Sequence, residues 1–335
     1  MTQITDPMLE AGDAPPGTGA SPKSNITINN PDIQAMQKKV AALTIVVPAA
    51  MTALAIVLAF TGLAPSLTDI VVMVVLYIST CLGVTVGFHR LFSHRSFKAT
   101  PPLKAGLAIF GCMAAQGTLV YWVATHRRHH QFSEGEGDPH SPYYIEGEKP
   151  SKLRGLWHSH LGWMLDSKMT NTVKFAKDLI RDPMIARIND RYYLWVVLGL
   201  VIPAAIGALA AMSWTGAVTG LLWGGFVRMF LVHHVMWTSG STAHIFGSRP
   251  FLTRDKSTNN GILALPNLGE AWHNNHHAFP SSAIFGLHWW QVDPGAWFIK
   301  ACVLVGLASD VRRPTQAMID DKKAHPEGGG GIEVW

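Results

Sequence analysis

The sequence predicts an all-α integral membrane protein: four transmembrane helices in two hairpins, with a cytosolic helical cap that holds a histidine-rich metal site. Three observations favour this fold class. Hydrophobic residues make up 48% of the 335 residues and charged residues only 15%, against about 25% charged in a typical soluble domain. Four apolar stretches are long enough to cross a bilayer, and eight histidines fall in three tight clusters outside them.

The predicted spans lie in two pairs separated by short turns. A crossing helix needs about 20 apolar residues. The turns at 64–66 and 213–215 contain no Lys or Arg, whereas the segments on the other side are basic. The positive-inside rule therefore predicts a multi-pass cell membrane protein with both termini, all long loops and the histidine clusters on the cytoplasmic side. The four predicted spans cover about residues 40–62, 68–88, 193–213 and 216–238.

Outside the spans, the two ends of the chain differ in composition from its centre. Residues 1–34 are rich in Pro, Gly, Ser and Asn, which indicates a disordered cytosolic tail. Residues 319–335 include a glycine run and are expected to form a flexible C-terminal tail. Residues 35–318 are then the single membrane domain.

One further stretch, about residues 103–124, is apolar enough to suggest a fifth span. A crossing there would place His94 and His126 on opposite faces of the membrane. The stretch is also interrupted by Gly111 and Gln116. We therefore expect a partly buried or interfacial helix.

Charge and cysteine content exclude other classes. The net charge of +5 is modest and no Lys/Arg run is dense enough for a nucleic-acid partner. Cys81, Cys112 and Cys302 lie in apolar stretches without a CxxC pair. They indicate buried hydrophobic residues rather than a disulfide framework or a thiolate metal site.

The clustered histidines are the candidate metal ligands. Two clusters have spacing i, i+3, i+4, which places three imidazoles on one helix face, while the pair five residues apart needs a bend. Eight imidazoles exceed the needs of one tetrahedral ion, so two ions are predicted, and imidazole alone leaves the metal open. Single histidines elsewhere (His140, His158, His160, His288 and His325) are expected to be ordinary surface or core residues. The clustered ones are His89, His94, His126, His129, His130, His273, His276 and His277.

The sequence motifs that contain these clusters resemble those of the membrane fatty acid desaturases, especially bacterial forms of the stearoyl-CoA (delta-9) type. The matching segments are GFHRLFSH (87–94), WVATHRRHH (122–130), GDPH (137–140) and LGEAWHNNHHAFP (268–280), and the likeness covers about residues 40–315. The resemblance implies two non-haem iron ions and O₂-dependent desaturation of a saturated fatty acyl chain near carbon 9, carried as acyl-CoA or acyl-lipid. Electrons would come from a separate protein, such as a ferredoxin or small cytochrome with an NAD(P)H reductase.

The resemblance also implies a ninth ligand, His244, in the segment GSTAH (240–244). Gly240 stands where the family has an Asn that touches one metal through a water molecule. Ala124 and Thr125 stand where animal members carry an Arg-Asp pair whose Arg helps to hold CoA. The resemblance therefore defines the group that carries the acyl chain less well than it defines the desaturation reaction.

Further residues are expected to support the site. Glu270 and Asp138 are candidates to accept the free N–H of ligating imidazoles. A narrow apolar tunnel is expected between the cytosolic halves of the second and fourth spans. Arg228, His233 and His234 lie in the fourth span, where ionisable groups are costly and often functional. The tunnel candidates are Tyr77 and Met73 at its closed end, with Trp122 and Arg228; no catalytic residue beyond the metal ligands is expected.

Two alternatives remain from the sequence. Hydroxylation of an alkyl chain or sterol could use the same type of centre. A membrane zinc-binding transporter would belong to another class, but it would place its ligands within the spans, whereas these clusters lie at span ends and in loops. A metalloprotease is disfavoured because the sequence has no His-Glu-x-x-His.

Overall fold

Four long apolar helices dominate the structure, a computed structural model that describes residues 25–166, 168–324 and 333–334. Their length and composition suffice to cross a membrane. Together with the histidine clusters, they confirm the predicted fold class. The predicted disordered and flexible tails lie mostly outside the described residues. The four helical stretches are Pro31–Phe60, Leu67–Ser93, Tyr192–Ala211 and Trp214–His244.

Helix α1 (Pro31–Phe60) begins well before the predicted boundary at residue 40. The Asn30 side chain accepts hydrogen bonds from the backbone N–H groups of Asp32 and Ile33, and Pro31 occupies the first turn. Asn at the N-cap followed by Pro is a strong start signal. Residues 31–34, predicted as part of the tail, are therefore the first turn of this helix.

The second span changes helix type along its length. Helix α2 (Leu67–Leu82) starts with a capping box between Ser66 and Asp69 and continues as a π-helix over Gly83–Ser93, all of whose residues are buried. In a π-helix the backbone bond runs over five residues, and the His94 N–H donates to the His89 carbonyl at 3.1 Å. Residues five apart therefore fall on one face, which supplies the bend predicted for this pair.

The stretch predicted as one interfacial helix forms two helices, α3 (Pro101–Met113) and α4 (Leu119–Phe132). The connection contains positive φ angles at Ala115 (58°) and Gly117 (99°), which a continuous α-helix cannot accommodate. Leu107 and Cys112 are buried against the π-helical segment. This stretch is not among the four candidate spans found in the described part of the chain.

The segment between the second and third spans forms much of the cap. Arg127 on α4 donates to the carbonyls of Phe92, Ser93 and Phe175 and pairs with Asp178 at 2.7 Å. It thereby fixes the end of the second span against the cap. The short helices here are α5 (Lys152–His160), α6 (Thr172–Phe175), α7 (Lys177–Arg181) and α8 (Pro183–Asp190), with a 3₁₀ turn at Gly162–Leu165.

The second hairpin joins α9 (Tyr192–Ala211) to a composite helix. The composite helix consists of α10 (Trp214–Gly220), a π-helical segment (Leu221–Val227), α11 (Arg228–Gly240) and a 3₁₀ turn (Thr242–His244). α9 and α10 approach so closely that a side chain at Gly207 or Gly216 would collide with the other helix's backbone. The composite helix reaches His244, past the predicted end near residue 238.

The remainder of the chain completes the cap. Arg90, at the end of the second span, is fully buried and pairs with Asp293 at 2.9 Å. This ion pair anchors the last helices to the membrane helices. They are α12 (Gly261–Ala264), α13 (His273–Ala278), α14 (Pro294–Leu304) and α15 (Gln316–Ala324). Two short antiparallel pairs join β1 (Lys98–Ala99) to β2 (Ala308–Ser309) and β3 (Arg312–Arg313) to β4 (Glu333–Val334).

Candidate metal centre

The structure brings nine distant imidazoles together where the second and fourth spans meet the cap. They form two groups, in each of which the potential ligand atoms lie within 4.8 Å of one another. These are the eight clustered histidines and His244, which the family resemblance added. The first histidine group is His89, His94, His126, His130 and His276; the second histidine group is His129, His244, His273 and His277.

Each helix that carries a histidine triplet serves both groups. On α4, His126 and His130 belong to the first group and His129 to the second. On α13, His276 belongs to the first group and His273 to the second. Because positions i and i+4 lie on one side of position i+3, a single helix can stand between two ions. The spacing predicted a common face, but not this division.

The ring nitrogens converge at distances that suit a shared cation. In the first group, Nε2 of His276 lies 3.0 Å from that of His89 and 2.9 Å from that of His130. In the second, Nε2 of His273 lies 3.0 Å from Nε2 of His244. The buried Nε2 of His129 has no hydrogen-bond partner. Lone pairs facing one another without donors are costly to bury, so this donor set fits two metal ions.

Burial also keeps these imidazoles in the form that binds metals. It lowers the pKa of His94, His126, His130, His273 and His276 well below the ordinary value, and positive neighbouring imidazoles lower it further. A neutral ring offers a lone pair at physiological pH. Most of the ligand candidates would therefore bind a cation without first releasing a proton.

The two predicted supporting carboxylates lie directly behind ligand candidates. Glu270 contacts Nδ1 of His89, and Asp138 lies 3.0 Å from Nδ1 of His129. Burial raises the pKa of Glu270 to about 8, although Arg90 opposes the shift. The pKa of Asp138 is lowered because its interactions with His129 outweigh burial. Both contacts orient a ring so that Nε2 faces the metal group.

Two further carboxylates, which were not predicted from the sequence, have the same role. Glu134 lies 2.9 Å from Nδ1 of His244 and also accepts from the backbone N–H of Lys256. Asp255 lies 2.5 Å from Nδ1 of His277. Glu134 lies only four residues after His130, and this closeness in sequence could have identified it as a supporting residue. Asp255 has no local motif that could have identified it.

We expect Asp138→Asn to weaken metal binding without unfolding the protein. The amide keeps the size of the side chain but cannot hold the His129 ring as a carboxylate does. Loss of such an outer partner costs about 10–100-fold in metal affinity. Chelator competition on the purified, metal-loaded protein measures the effect.

A matched control for this prediction is Asp310→Asn, because Asp310 pairs with the exposed Lys98. An unchanged affinity in Asp138→Asn would show that the carboxylate does not support a ligand.

An apolar cavity of about 330 Å³ reaches both histidine groups. It touches His89 and His126 of the first group and His129 and His273 of the second. Its remaining walls are mainly apolar or aromatic and include residues of α1 and of the start of α9. Among them are Ile33, Met36, Val40, Val84, Trp122, Tyr192, Tyr193, Met236 and Trp237.

Of the four predicted tunnel residues, Trp122 lines this cavity, where it stacks on His126 at 5.2 Å. The other three do not. Met73 packs against a separate apolar cluster that includes Ala55, and the Tyr77 hydroxyl donates to the Pro266 carbonyl at 2.7 Å. Arg228 donates to the backbone carbonyls of the helices around it.

The polar residues of the fourth span satisfy backbone or side-chain groups instead of the metal groups. Arg228 binds carbonyls that the π-helical and interrupted segments leave available. Nε2 of His233 lies 2.8 Å from the Ala114 carbonyl. His234 contacts His160 at 3.1 Å. None of these belongs to the clusters of possible metal ligands in the described residues.

A pair of buried histidine groups, served by an apolar cavity at the end of four membrane-crossing helices, defines a metal-dependent membrane enzyme that acts on an apolar substrate. The chain belongs to the fatty acid desaturase family, since the model of that family, described as "Fatty acid desaturase", matches residues 68–304. It is a desaturase-type oxidoreductase and a membrane protein.

Three similar proteins illustrate the range of the family. A hex-5-enoyl-[acyl-carrier protein] acetylenase of Moorena producens (strain JHB) is 44% identical over 91% of this chain and 95% of its own. An sn-1 stearoyl-lipid 9-desaturase of Anabaena variabilis is 35% identical over 72% of this chain and 83% of its own. An acyl-CoA C20 Delta5-desaturase of Anemone leveillei is 37% identical over 70% of each chain.

Proposed function

We propose that the protein removes two hydrogens from a saturated fatty acyl chain, near carbon 9, with O₂ as the oxidant and two iron ions held by the nine histidines. The observation that carries this proposal is the apolar cavity that reaches both histidine groups. An apolar channel alone would suit any lipid-binding protein. Its contact with His89 and His129 would place a methylene chain beside two ions.

The reaction requires chemistry that side chains lack. An unactivated methylene C–H is too nonpolar for general acid–base catalysis, so the bound irons would supply the oxidising power, with O₂ reduced to water. The chain's own residues bind and orient. The cavity walls hold the acyl chain in one position, Glu270 and Asp138 orient the imidazoles, and the buried setting excludes water.

The electrons are proposed to come from a separate redox protein, such as a ferredoxin or small cytochrome with its NAD(P)H reductase. The described cap is built from short helices around the two histidine groups. The distribution of Lys and Arg supports a cytoplasmic position for this cap, where such a donor could reach it. Activity that persists without any added donor would contradict this part of the proposal.

The carrier of the acyl chain is proposed to be CoA or a membrane lipid. The relatives above act, by their names, on a lipid-bound, a CoA-bound and an acyl-carrier-protein-bound chain. The cavity is lined on one side by Ile33, Met36 and Val40 of the first span. This lining supports direct entry of an acyl chain from the bilayer, with the head group left at the interface.

The experiment that tests the function is expression in a host that cannot make unsaturated fatty acids. Isotope-labelled saturated acyl chains are supplied, and the products are analysed by mass spectrometry. Loss of two hydrogens with a new double bond near carbon 9 supports the proposal. Gain of one oxygen would instead indicate hydroxylation, the alternative that the histidine pattern leaves open. Supplying the purified protein with CoA, carrier-protein and lipid forms then identifies the carrier.

Metal analysis of the purified protein distinguishes the proposed enzyme from the remaining alternative, a membrane zinc-binding transporter. Two irons per chain support the proposal. A chain that contains only zinc and leaves the host lipids unchanged would favour the zinc-binding transporter considered above.

We expect Met236→Trp to reduce desaturation of long acyl chains while leaving the metal content unchanged. Met236 is buried, lines the cavity and packs against Val84. A larger ring there would shorten the space beside the histidines, and a misplaced reacting carbon costs about 100-fold in rate. Rates on acyl chains of graded length measure the effect.

Leu231→Trp is the matched control, since Leu231 lies on the same helix but faces outward and does not line the cavity. Equal rates for both variants on every chain length would show that the cavity does not hold the substrate.

A further inference from the structure

His140 is a largely buried imidazole that belongs to neither histidine group yet touches the second one. Its ring stacks on that of His129, with centroids 4.4 Å apart and an angle of 25° between the planes. Only 13% of its side chain is exposed. Nδ1 of His140 is buried and has no hydrogen-bond partner. His140 belongs to the GDPH segment (137–140) but, as a single histidine, was expected to be an ordinary surface or core residue.

The stacked rings share one orientation. Nδ1 of His129 lies 3.0 Å from Oδ1 of Asp138, and Nδ1 of His140 lies 4.0 Å from the same oxygen. In an imidazole Nε2 lies across the ring from Nδ1, so Nε2 of both rings points away from Asp138. For His129 that direction leads into the second histidine group. His140 also lines the cavity that contacts His129 and His273.

Gly240 provides the room for this ring. A Cβ atom at position 240 would lie 3.2 Å from Nδ1 and 3.3 Å from Cε1 of His140, which is tighter than most side-chain contacts. Gly240 also lines the cavity and lies four residues before His244, a member of the second group. A Cβ atom there would require the His140 ring to shift by a few tenths of an ångström.

The two groups differ in number, with five imidazoles in the first and four in the second. His140 stands one ring spacing behind His129. A direct iron–nitrogen bond needs about 2.0–2.1 Å, as for other first-row metals, and His129 already occupies that position. A water molecule can bridge two polar groups that are too far apart for direct contact, here the His140 ring and an ion held by the second group.

We propose that His140 serves the ion of the second histidine group as an outer ligand, by holding a water molecule on it through Nε2, and that Gly240 makes this possible. The inference rests on the proposed function, because it needs two ions in the site. It assigns to His140 a role that no carboxylate of the site can fill, since all four lie on the Nδ1 side of inner ligands.

The test compares iron release from the full-length, iron-loaded protein and its His140→Phe variant. Phenylalanine preserves the stacking on His129 and removes both nitrogens. Release to a chelator is followed under anaerobic conditions, and Mössbauer spectra of the same samples report on each ion separately. His288→Phe is the matched control, because His288 stacks on Trp290 outside both groups.

We expect one of the two ions to leave His140→Phe about 10–100-fold faster, as for loss of other outer-shell partners. One of the two Mössbauer signals should change, and His288→Phe should match the unaltered protein. Gly240→Ala keeps every nitrogen and displaces the ring, so the same ion should leave faster; this variant replaces His140→Phe if the latter fails to fold.

Unaltered release and spectra in these variants would overturn the inference. So would an equal acceleration for both ions, which would indicate a loosened fold. Failure of the proposed two-iron centre is visible separately, since the unaltered protein would then hold fewer than two irons before any variant is made, and failure of the proposed reaction is visible in the product analysis described above.

Discussion

Replacing His129 with alanine is expected to reduce desaturation to background. His129 is the member of the α4 triplet that turns to the second histidine group. Its Nε2 has no other partner, and its Nδ1 is held by Asp138. Alanine would leave three imidazoles in that group and a buried carboxylate without its partner. Formation of the double bond in the expression host described above is the measurement.

The control for this variant is His288→Ala, which removes an imidazole outside both groups. It should retain full activity. The iron content of His129→Ala should fall from two ions towards one. Activity above background in this variant would contradict the assignment of His129 as a ligand.

Asp293→Ala is expected to destabilise the protein by about 3–5 kcal/mol, the usual effect of removing one partner from a buried ion pair. Asp293 pairs with Arg90, which is fully buried at the end of the second span. It also accepts hydrogen bonds from the backbone N–H groups of Phe285, Gly286 and Ala296. Alanine would deprive the buried guanidinium of its closest carboxylate and leave these three N–H donors without their acceptor.

The consequence should extend to the metal centre. Nε of Arg90 lies 3.6 Å from Glu270, whose carboxylate orients His89. Thermal unfolding in detergent, with and without iron, measures the change. Glu148→Ala removes the partner of the exposed Arg154 and should cost no more than about 1 kcal/mol. Equal losses in the two variants would show that the buried pair does not stabilise the cap.

The sequence alone predicted the elements with strong periodic or compositional signals. Apolar length identified the four spans, and helical spacing identified the histidine clusters. The predicted topology placed His94 and His126 on one side of the membrane, and in the structure their Nε2 atoms lie 2.8 Å apart. These features depend on short segments of chain, in which propensity and pattern act locally.

Features that depend on tertiary contacts could not be predicted. The five-residue spacing of His89 and His94 suggested a bend, but the π-helix that provides it depends on close packing of the second span. Asp255 and His277 are 22 residues apart in the sequence, and only the tertiary fold brings them into contact. Tyr77, Met73 and Arg228 do not line the cavity that reaches the histidine groups, which could not be predicted because a helical pattern does not tell which face of a span meets a neighbouring helix.

The four carboxylates behind the imidazoles are unevenly shared. Glu270 supports the first histidine group, whereas Asp138, Glu134 and Asp255 support the second. Because burial raises the pKa of Glu270 to about 8, most of the negative charge behind the imidazoles at neutral pH lies on the second group's side. The uneven share makes the two positions chemically distinct. The three acids behind the second histidine group would stabilise the higher oxidation state of an ion held there, so that ion would be the first of the two to give up an electron.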